Sequence, residues 1–403
     1  MNAVGIDVSK GKSMVAVARP FGEVVVAPFE VHHTVSDLRA LALSLKTLAG
    51  ETRVVLEHTG KYYMPITQTL CDAGIFVSAV NPLLIKEYGN NSIRRVKTDK
   101  ADALKIARYG LDNWAELREH TPMQATREQL KTMNRQYHLY VKNKGAFYNN
   151  LIALLDQSYP GLNTYFTSPV REDGSQKWVD FAATFWHVDC VRNHSAMAFT
   201  VRYQKWCKRH GYQFSAAKVD TIYREAKELV PVLPKDEGTK MLIIEAIRQL
   251  NAVSRTVEVL RGGMSRLAEM LPEYPVVMSM YGIGPSMGPQ LMAEIGDVRR
   301  FRQRGSLTAF AGVDPMPSQS GTQARLSNPS SKRGSPYLRK TLFVIMTILI
   351  RNAPTDDKVF QFLDKKRSEG KPYFVYMTAA ANKFLRIYYG RVNEYLNGLE
   401  QRP

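Results

Sequence analysis

The first twenty residues, MNAVGIDVSKGKSMVAVARP (1–20), hold two β-forming apolar runs, 3–8 and 14–18, on either side of a short polar turn. That spacing predicts a hairpin. An acid, Asp7, interrupts the first run. A carboxylate on a half-buried strand costs desolvation energy unless it is paired, solvated or bound to a cation. Taken by itself, Asp7 reads as a residue on the wet face of an edge strand. The sequence that follows argues for more.

Short β-rich and helical runs alternate as far as about residue 115. VVVAPFEV (24–31) reads as a strand and LRALALSLKTLA (38–49) as a helix. RVVLEHTG (53–60) is a strand that ends at an acid, Glu57, and MPITQTLCDAG (64–74) is helical. IFVSAVNP (75–82) is a further strand, and KTDKADALKIARYG (97–110) opens a helix. A hairpin followed by strand–helix repeats indicates an α/β layer fold with a mixed sheet. Strand signals fade between about 120 and 275. There MLIIEAIRQLNAVSRTVEVLRGGMSRLAEML (241–271) keeps apolar residues at helical spacing, enough for a helical hairpin or coiled-coil arm, with Gly262 and Gly263 as a candidate break. LPEYP (271–275) closes that segment, Gly-rich turns and helices fill 276–355, and the tail reads as helix. The expected division is therefore 1–155, 156–275 and 276–403.

The chain of 403 residues is long enough for two or three domains, and 44% hydrophobic with 23% charged residues describes a globular protein. The longest strongly apolar run, TLFVIMTILI (341–350), is about half of what crosses a bilayer. No basic-then-apolar leader opens the chain, and Cys71, Cys190 and Cys207 form no disulfide framework, so a cytoplasmic protein without a membrane partner is expected. Lys and Arg number 55 against 37 Asp and Glu, a formal charge of +18. An excess of that size predicts attraction to a polyanion, nucleic acid first. The cations cluster in RRVKTDK (94–100), RRFRQR (299–304) and SKRGSPYLRK (331–340), and 127–150 interleaves them with Tyr and Phe. Arg94, Arg95, Lys97 and Lys100 are the first candidates for phosphate contact.

Asp99 and Asp102, three apart at a helix start, share one face. A mixed sheet that brings Asp7 and Glu57 to that helix gathers four carboxylates, which repel one another unless they hold divalent cations. Hard oxygen ligands suit Mg²⁺, as one ion or as a pair flanking a phosphodiester. Each acid also has an ordinary reading, such as Asp99 at the positive end of a helix dipole or Asp102 paired with a neighbouring Lys.

GIDVSK, LEHTG, VNP and KTDKADA, in this order and spacing, resemble the RuvC-like half of the DEDD transposases of bacterial insertion sequences, family one-hundred-ten. The resemblance implies an RNase H-like domain with Asp7, Glu57, Asp99 and Asp102 as its four acids. Farther on, GIGP, AEIGD, FAGVDP, SQSG, SKRG and YLRK, together with the tail GKPYFVYMTAAANKFLRIYYG (370–390), are similar to the mainly helical transposase domain that follows in that family. By that resemblance the nucleophile is Ser320, with Ser318 a near competitor, and Tyr337 reads instead as part of a helix start. Arg325, Lys332, Arg333 and Arg339 could neutralise charge that develops on a phosphorane. On the residues alone, Ser320-Gly321 reads first as a simple turn, and it is the resemblance that favours a nucleophile.

The resemblance further implies a DNA recombinase acting on donor and target through a serine–DNA ester. It implies Mg²⁺, a non-coding bridge RNA as guide, and a homo-oligomer, dimer or tetramer. A RuvC-like nuclease that hydrolyses junctions with water is the alternative, and an actin-like kinase or a nucleic-acid scaffold are more distant ones. The stretch at about 155–240 matches none of these motifs. In it Cys190, His194, Cys207 and His210, with His187 nearby, are ligand types compatible with zinc.

Overall fold

The computed structural model describes residues 1–58, 60–88, 98–120, 123–315 and 330–401, with the backbone alone of 319–320 and 323–324. These fall into two compact units, 1–122 and 123–403.

The first unit is built on the hairpin of β1 (Asn2–Ser9) and β2 (Lys12–Ala18), extended by β3 (Val24–His32). Helix α1 (Val35–Lys46) leads to β4 (Thr52–Glu57), and α2 (Met64–Asp72) leads to β5 (Phe76–Val80). The sheet order is β3-β2-β1-β4-β5. The hairpin strands pair antiparallel, whereas β1/β4 and β4/β5 are parallel, so the sheet is mixed as expected. Alternation divides each strand between two faces. Val4, Ile6, Val54 and Leu56 pack with Leu38, Leu41, Ile66 and Leu70 of α1 and α2.

The opposite face receives α4 (Asp99–Asp112), which follows the short α3 (Pro82–Glu87). Both helix starts are written locally. Asn81 accepts from the Leu83 amide at 3.0 Å with Pro82 in the first turn, and Thr98 accepts from the Ala101 amide at 3.2 Å. Small residues line the α4 contact. A Cβ added to Gly5 would stand 2.1 Å from the Ala103 carbonyl oxygen and 2.3 Å from the Ala107 nitrogen. One added to Gly110 would stand 2.7 Å from Val55 and 3.5 Å from Ala3. The helix therefore lies directly on strand backbone.

The second unit is organised by two long helices, α5 (Ala125–Ser158) and α10 (Glu237–Glu269), packed along each other. At 34 residues, α5 is about 51 Å long. The pair is antiparallel, because Leu130 shares a core with Met264 and Ala268, while Leu151 and Leu155 share another with Ile243 and Leu250. Gly262 and Gly263 do not break α10. A Cβ on Gly263 would stand 3.3 Å from the Met133 sulfur, so the glycine is where the two helices approach closely.

The second of these cores covers the far end of the pair. There α6 (Lys177–Thr184), α7 (Asp189–Arg192), α8 (Ala196–His210) and α9 (Ala216–Glu228) enclose Trp178, Phe181, Phe185, Phe199, Tyr203 and Trp206. The first core gathers α11 (Tyr274–Met278), α12 (Met287–Ile295), α13 (Arg304–Ala311), α14 (Pro336–Asn352), α15 (Lys358–Ser368) and α16 (Tyr373–Glu400). A buried bidentate ion pair between Arg127 and Glu273 ties the start of α5 into it. The strongly apolar run 341–350 lies within α14, and among the described residues no helix is long and apolar enough to cross a membrane.

Candidate active site

Glu57 ends β4, and Asp7 lies near the end of the neighbouring parallel strand β1. The last paired residues of β1 and β4 are Ile6 and Leu56, so the two acids stand side by side, one residue beyond. Alternation puts both on the α4 face: Asp7 follows Ala3 and Gly5, and Glu57 follows Val55. Helix α4 runs antiparallel to β1, since Ala3 lies near Gly110 and Gly5 near Ala103 and Ala107. Two more strand residues, about 7 Å, match four to five helix residues at 1.5 Å each. That extrapolation carries Asp7 to the first turn of α4, where Asp99 and Asp102 sit. The small residues of the contact thus align the acids.

The electrostatics follow from this placement. Partial burial holds the Glu57 carboxyl above the usual range, and the charges of Asp7 and Asp102 push it further the same way. Lys105, one turn beyond Asp102, draws it back. Lys12 at the hairpin turn is bonded to Glu30 at 2.6 Å and also feels Asp99. Neither Lys12 nor Lys105 was anticipated; of the KTDKADALK cations only Lys97 and Lys100 were. The helical spacing of Asp102 and Lys105 was the available signal. The donors are hard oxygens held at the ends of rigid elements, which suits a divalent cation, and their mutual repulsion is what such an ion would relieve. They are not drawn tight: among the described residues, no three His, Cys, Asp or Glu side chains are gathered closely enough to hold an ion.

In the second unit the turn between α11 and α12 carries Gly-Ile-Gly, and Gly282 has the left-handed φ of 78° that favours glycine. The chain then leaves α13 through Gly312 and re-enters α14 at Ser335. Its two limbs are laid together. The Ser331 amide donates to the Asp314 carbonyl at 2.9 Å, the Lys332 amide to Gly312 at 3.1 Å, and the Ser335 amide to Phe310 at 2.8 Å. Between the limbs, the strands β6 (Gln319–Ser320) and β7 (Gln323–Ala324) pair antiparallel, Ser320 opposite Gln323. Ser320 is therefore placed by its backbone on a two-residue strand paired with β7, between the two limbs in the chain.

Lys332 and Arg333 are exposed on the second limb, and Lys332 has a left-handed φ of 50°. Arg339 donates from Nη1 to the Ala311 carbonyl at 2.9 Å, and partial burial lowers its pKa. Tyr337 does lie in the first turn of α14. Lys100 is exposed on α4, whereas Arg94, Arg95, Lys97, Ser318 and Arg325 fall outside the described residues.

The zinc reading fails among the described residues. Cys190, Cys207 and His187 are buried in the aromatic core, His194 is bonded to Arg202, and His210 stacks on Tyr212 and faces Asp180. No group of three could hold a metal there.

Comparison with known proteins agrees with this layout. A family model for the DEDD transposases of IS110 elements matches residues 4–160, and one described as "Transposase IS116/IS110/IS902 family" matches 274–361. The chain is 26% identical over 255 residues to the mini-circle putative transposase for IS117 of Streptomyces coelicolor, covering 61% of this chain and 59% of the relative. It is 21% identical to the 43.6 kDa protein of insertion element IS110 from the same species, covering 97% and 94%. It is 23% identical to the pilin gene-inverting protein of Moraxella bovis, covering 85% and 80%. Among solved structures, Thermus thermophilus RuvC aligns over 29% of this chain and 96% of its own, with 16% identity and a TM-score of 0.23. With one family model on the acid-bearing unit and another on the glycine turn and the Ser320 hairpin, the chain belongs to the IS110 family of DEDD transposases, enzymes that recombine DNA.

Proposed function

We propose that this transposase cuts and rejoins DNA through a covalent serine–DNA ester on Ser320, with Mg²⁺ at Asp7, Glu57, Asp99 and Asp102 and with target choice guided by a bridge RNA. The observation that carries the reading is the side-by-side placement of Asp7 and Glu57 on neighbouring parallel strands, where burial first, and then the charges of Asp7 and Asp102, hold Glu57 above its ordinary range. Bound Mg²⁺ would supply Lewis acidity and charge neutralisation at the scissile phosphate. The four acids would hold it, with DNA oxygens and water completing its coordination.

The remaining chemistry falls to the second unit. The Ser320 hydroxyl attacks phosphorus, one P–O bond forms as the DNA P–O bond breaks, and the departing DNA oxygen takes up the proton. Attack by another DNA hydroxyl on the ester reverses the exchange, so the energy of the bond is kept and no ATP is needed. Lys332 and Arg333, exposed on the second limb, offset charge on the phosphorane. Base pairing with the guide would read the sequence, leaving the basic protein to grip backbones. On this reading the two halves of the site come from different protomers of a cytoplasmic homo-oligomer, and 1–155, 156–275 and 276–403 are its functional modules.

The test is to incubate the protein, with the RNA that copurifies, with labelled donor DNA and Mg²⁺, and to trap protein–DNA adducts. A Mg²⁺-dependent adduct that mass spectrometry places at Ser320 is expected, and Ser320→Ala should abolish both adduct and recombination. Cleavage that survives Ser320→Ala unchanged would instead identify a water-using nuclease.

A further inference from the structure

Helix α5 carries Lys131, Arg135 and His138 at positions i, i+4 and i+7, a single face, and that face meets the start of α14. Behind it lies Glu294 of α12, wholly buried. Its Oε1 accepts from Asn134 at 3.1 Å and its Oε2 from the Ser335 hydroxyl at 2.8 Å. Ser335 also caps α14, accepting from the Leu338 amide at 3.1 Å. Glu294 thereby fixes α5 and α14 to the root of the limb that returns from the Ser320 hairpin.

Glu294 pairs with Arg135 as a charge without a hydrogen bond. Arg135 Nε stands 3.6 Å from Oε1 and makes no hydrogen bond, and its guanidinium lies 5.5 Å from the Tyr337 ring centre. His138 is 8% exposed, its ring 5.3 Å from that of Tyr337, and neither ring nitrogen has a partner. Leaving a buried donor unmade costs about 1–3 kcal/mol, and this face holds two of them, Arg135 Nε and the one N–H of a neutral His138. Burial lowers the Lys131 pKa, and Arg135 and Arg300 lower it further; Lys340 does the same to His138. Glu294 and Glu128 offset part of this on Lys131, and Glu294 offsets part of it on His138. The face still opens to solvent, since the Arg135 side chain is 41% exposed and Lys340 is exposed as well.

We infer that Lys131 and Arg135, beside Tyr337, His138 and Lys340, form a subsite for a backbone phosphodiester of duplex DNA. A phosphate oxygen is a strong acceptor that satisfies guanidinium and ammonium donors together. The 17-residue α14 turns its positive end toward the same place. The inference rests on the reading of this chain as one that acts on DNA, and it places a phosphate contact on α5, where Glu294 holds the Ser335 cap of α14.

The experiment uses the full-length chain with Ser320→Ala, so that no covalent step enters, and follows a fluorescein-labelled 30-base-pair duplex by anisotropy across a salt series. Arg135→Gln and Lys131→Gln should each weaken binding roughly fivefold at 0.15 M salt and flatten the log K against log [salt] slope by about one. The His138 ring signals, assigned by loss in His138→Gln, should move on adding duplex. Glu294→Gln should lower the melting temperature more than it changes the salt slope. Unchanged slopes in Arg135→Gln and Lys131→Gln, with lowered melting temperatures only, would show a structural network and overturn the inference. So would a slope change seen with RNA of the same length but not with duplex DNA. Failure of the Ser320 adduct with these slopes altered would sink the nucleophile and leave the subsite standing.

Discussion

At the residue scale, Glu57 is the group whose charge state reports on the site. Its pKa is raised by burial first, then by Asp7 and Asp102. A raised pKa means that the folded chain holds this proton more tightly than the unfolded one. The stability it contributes is fully present below about pH 4, the unfolded range of a glutamate, and is lost as pH rises through the folded value. Glu57→Gln should therefore slow amide exchange in β1 and β4 relative to the parent at pH 7 without divalent cation, and the difference should shrink toward pH 4. Adding Mg²⁺ should protect the parent more than the variant. A variant less protected than the parent at pH 7 without metal would contradict the crowding. Asp7 and Glu57 were legible in the sequence because each breaks an apolar run at a strand position. Lys105 was not, since a Lys on a helix face is ordinary until the fold puts it beside a carboxylate.

At the scale of elements, the α4–β1 contact is the one that aligns the acids, and it rests on the missing side chain of Gly5. Gly5→Ala would drive a methyl into the Ala103 carbonyl and the Ala107 backbone. The contact must open, at about 3 kcal/mol or more by the usual cost of overpacking. Faster exchange across β1 and loss of metal-dependent cleavage are expected together. Gly145→Ala, exposed on α5 with nothing within 4 Å, should instead stabilise by about 0.5–1 kcal/mol; equal effects at the two sites would refute the packing argument. The strands were readable because period-two alternation and flanking turns coincide in 1–82, and the VNP and KTD motifs are helix caps in plain view. Gly262–Gly263 misled, because local propensity marks a break where α10 has a neighbour close enough to use the absent side chains. Cys190 and Cys207 have ligand spacing along the chain, but that spacing says nothing about a core that turns both thiols inward among aromatic rings. Glu294 stood inside a quoted motif, AEIGD, yet only the packing of three helices shows what it holds.

At the scale of the molecule, residues 161–236 lie outside both family matches. Their core is separate from that of α11–α16, and the two clusters are joined only by the lengths of α5 and α10. The segment also leaves and returns at nearly one point, because the amides of Val232 and Leu233 both donate to the Gln157 carbonyl, at 2.8 and 2.9 Å. A short glycine–serine turn can therefore bridge the gap. The deletion would bare Leu151, Leu155, Ile243, Ile247 and Leu250, an exposed apolar patch that invites association. Changing those five to Glu or Lys in alternation removes it. The shortened chain should keep the helical signature and the cooperative melting of the α11–α16 core, within a few degrees of the parent. Its tryptophan emission should collapse to that of Trp114, since Trp178, Trp186 and Trp206 are the other three of the four tryptophans and all lie in the lost core. Duplex binding by the Lys131–Arg135–His138 face should persist with an unchanged salt slope, because that face belongs to the other cluster's end of α5. A chain that no longer folds, or that folds but loses its grip on DNA, would mean that the aromatic cap supports the transposase core through the long helices.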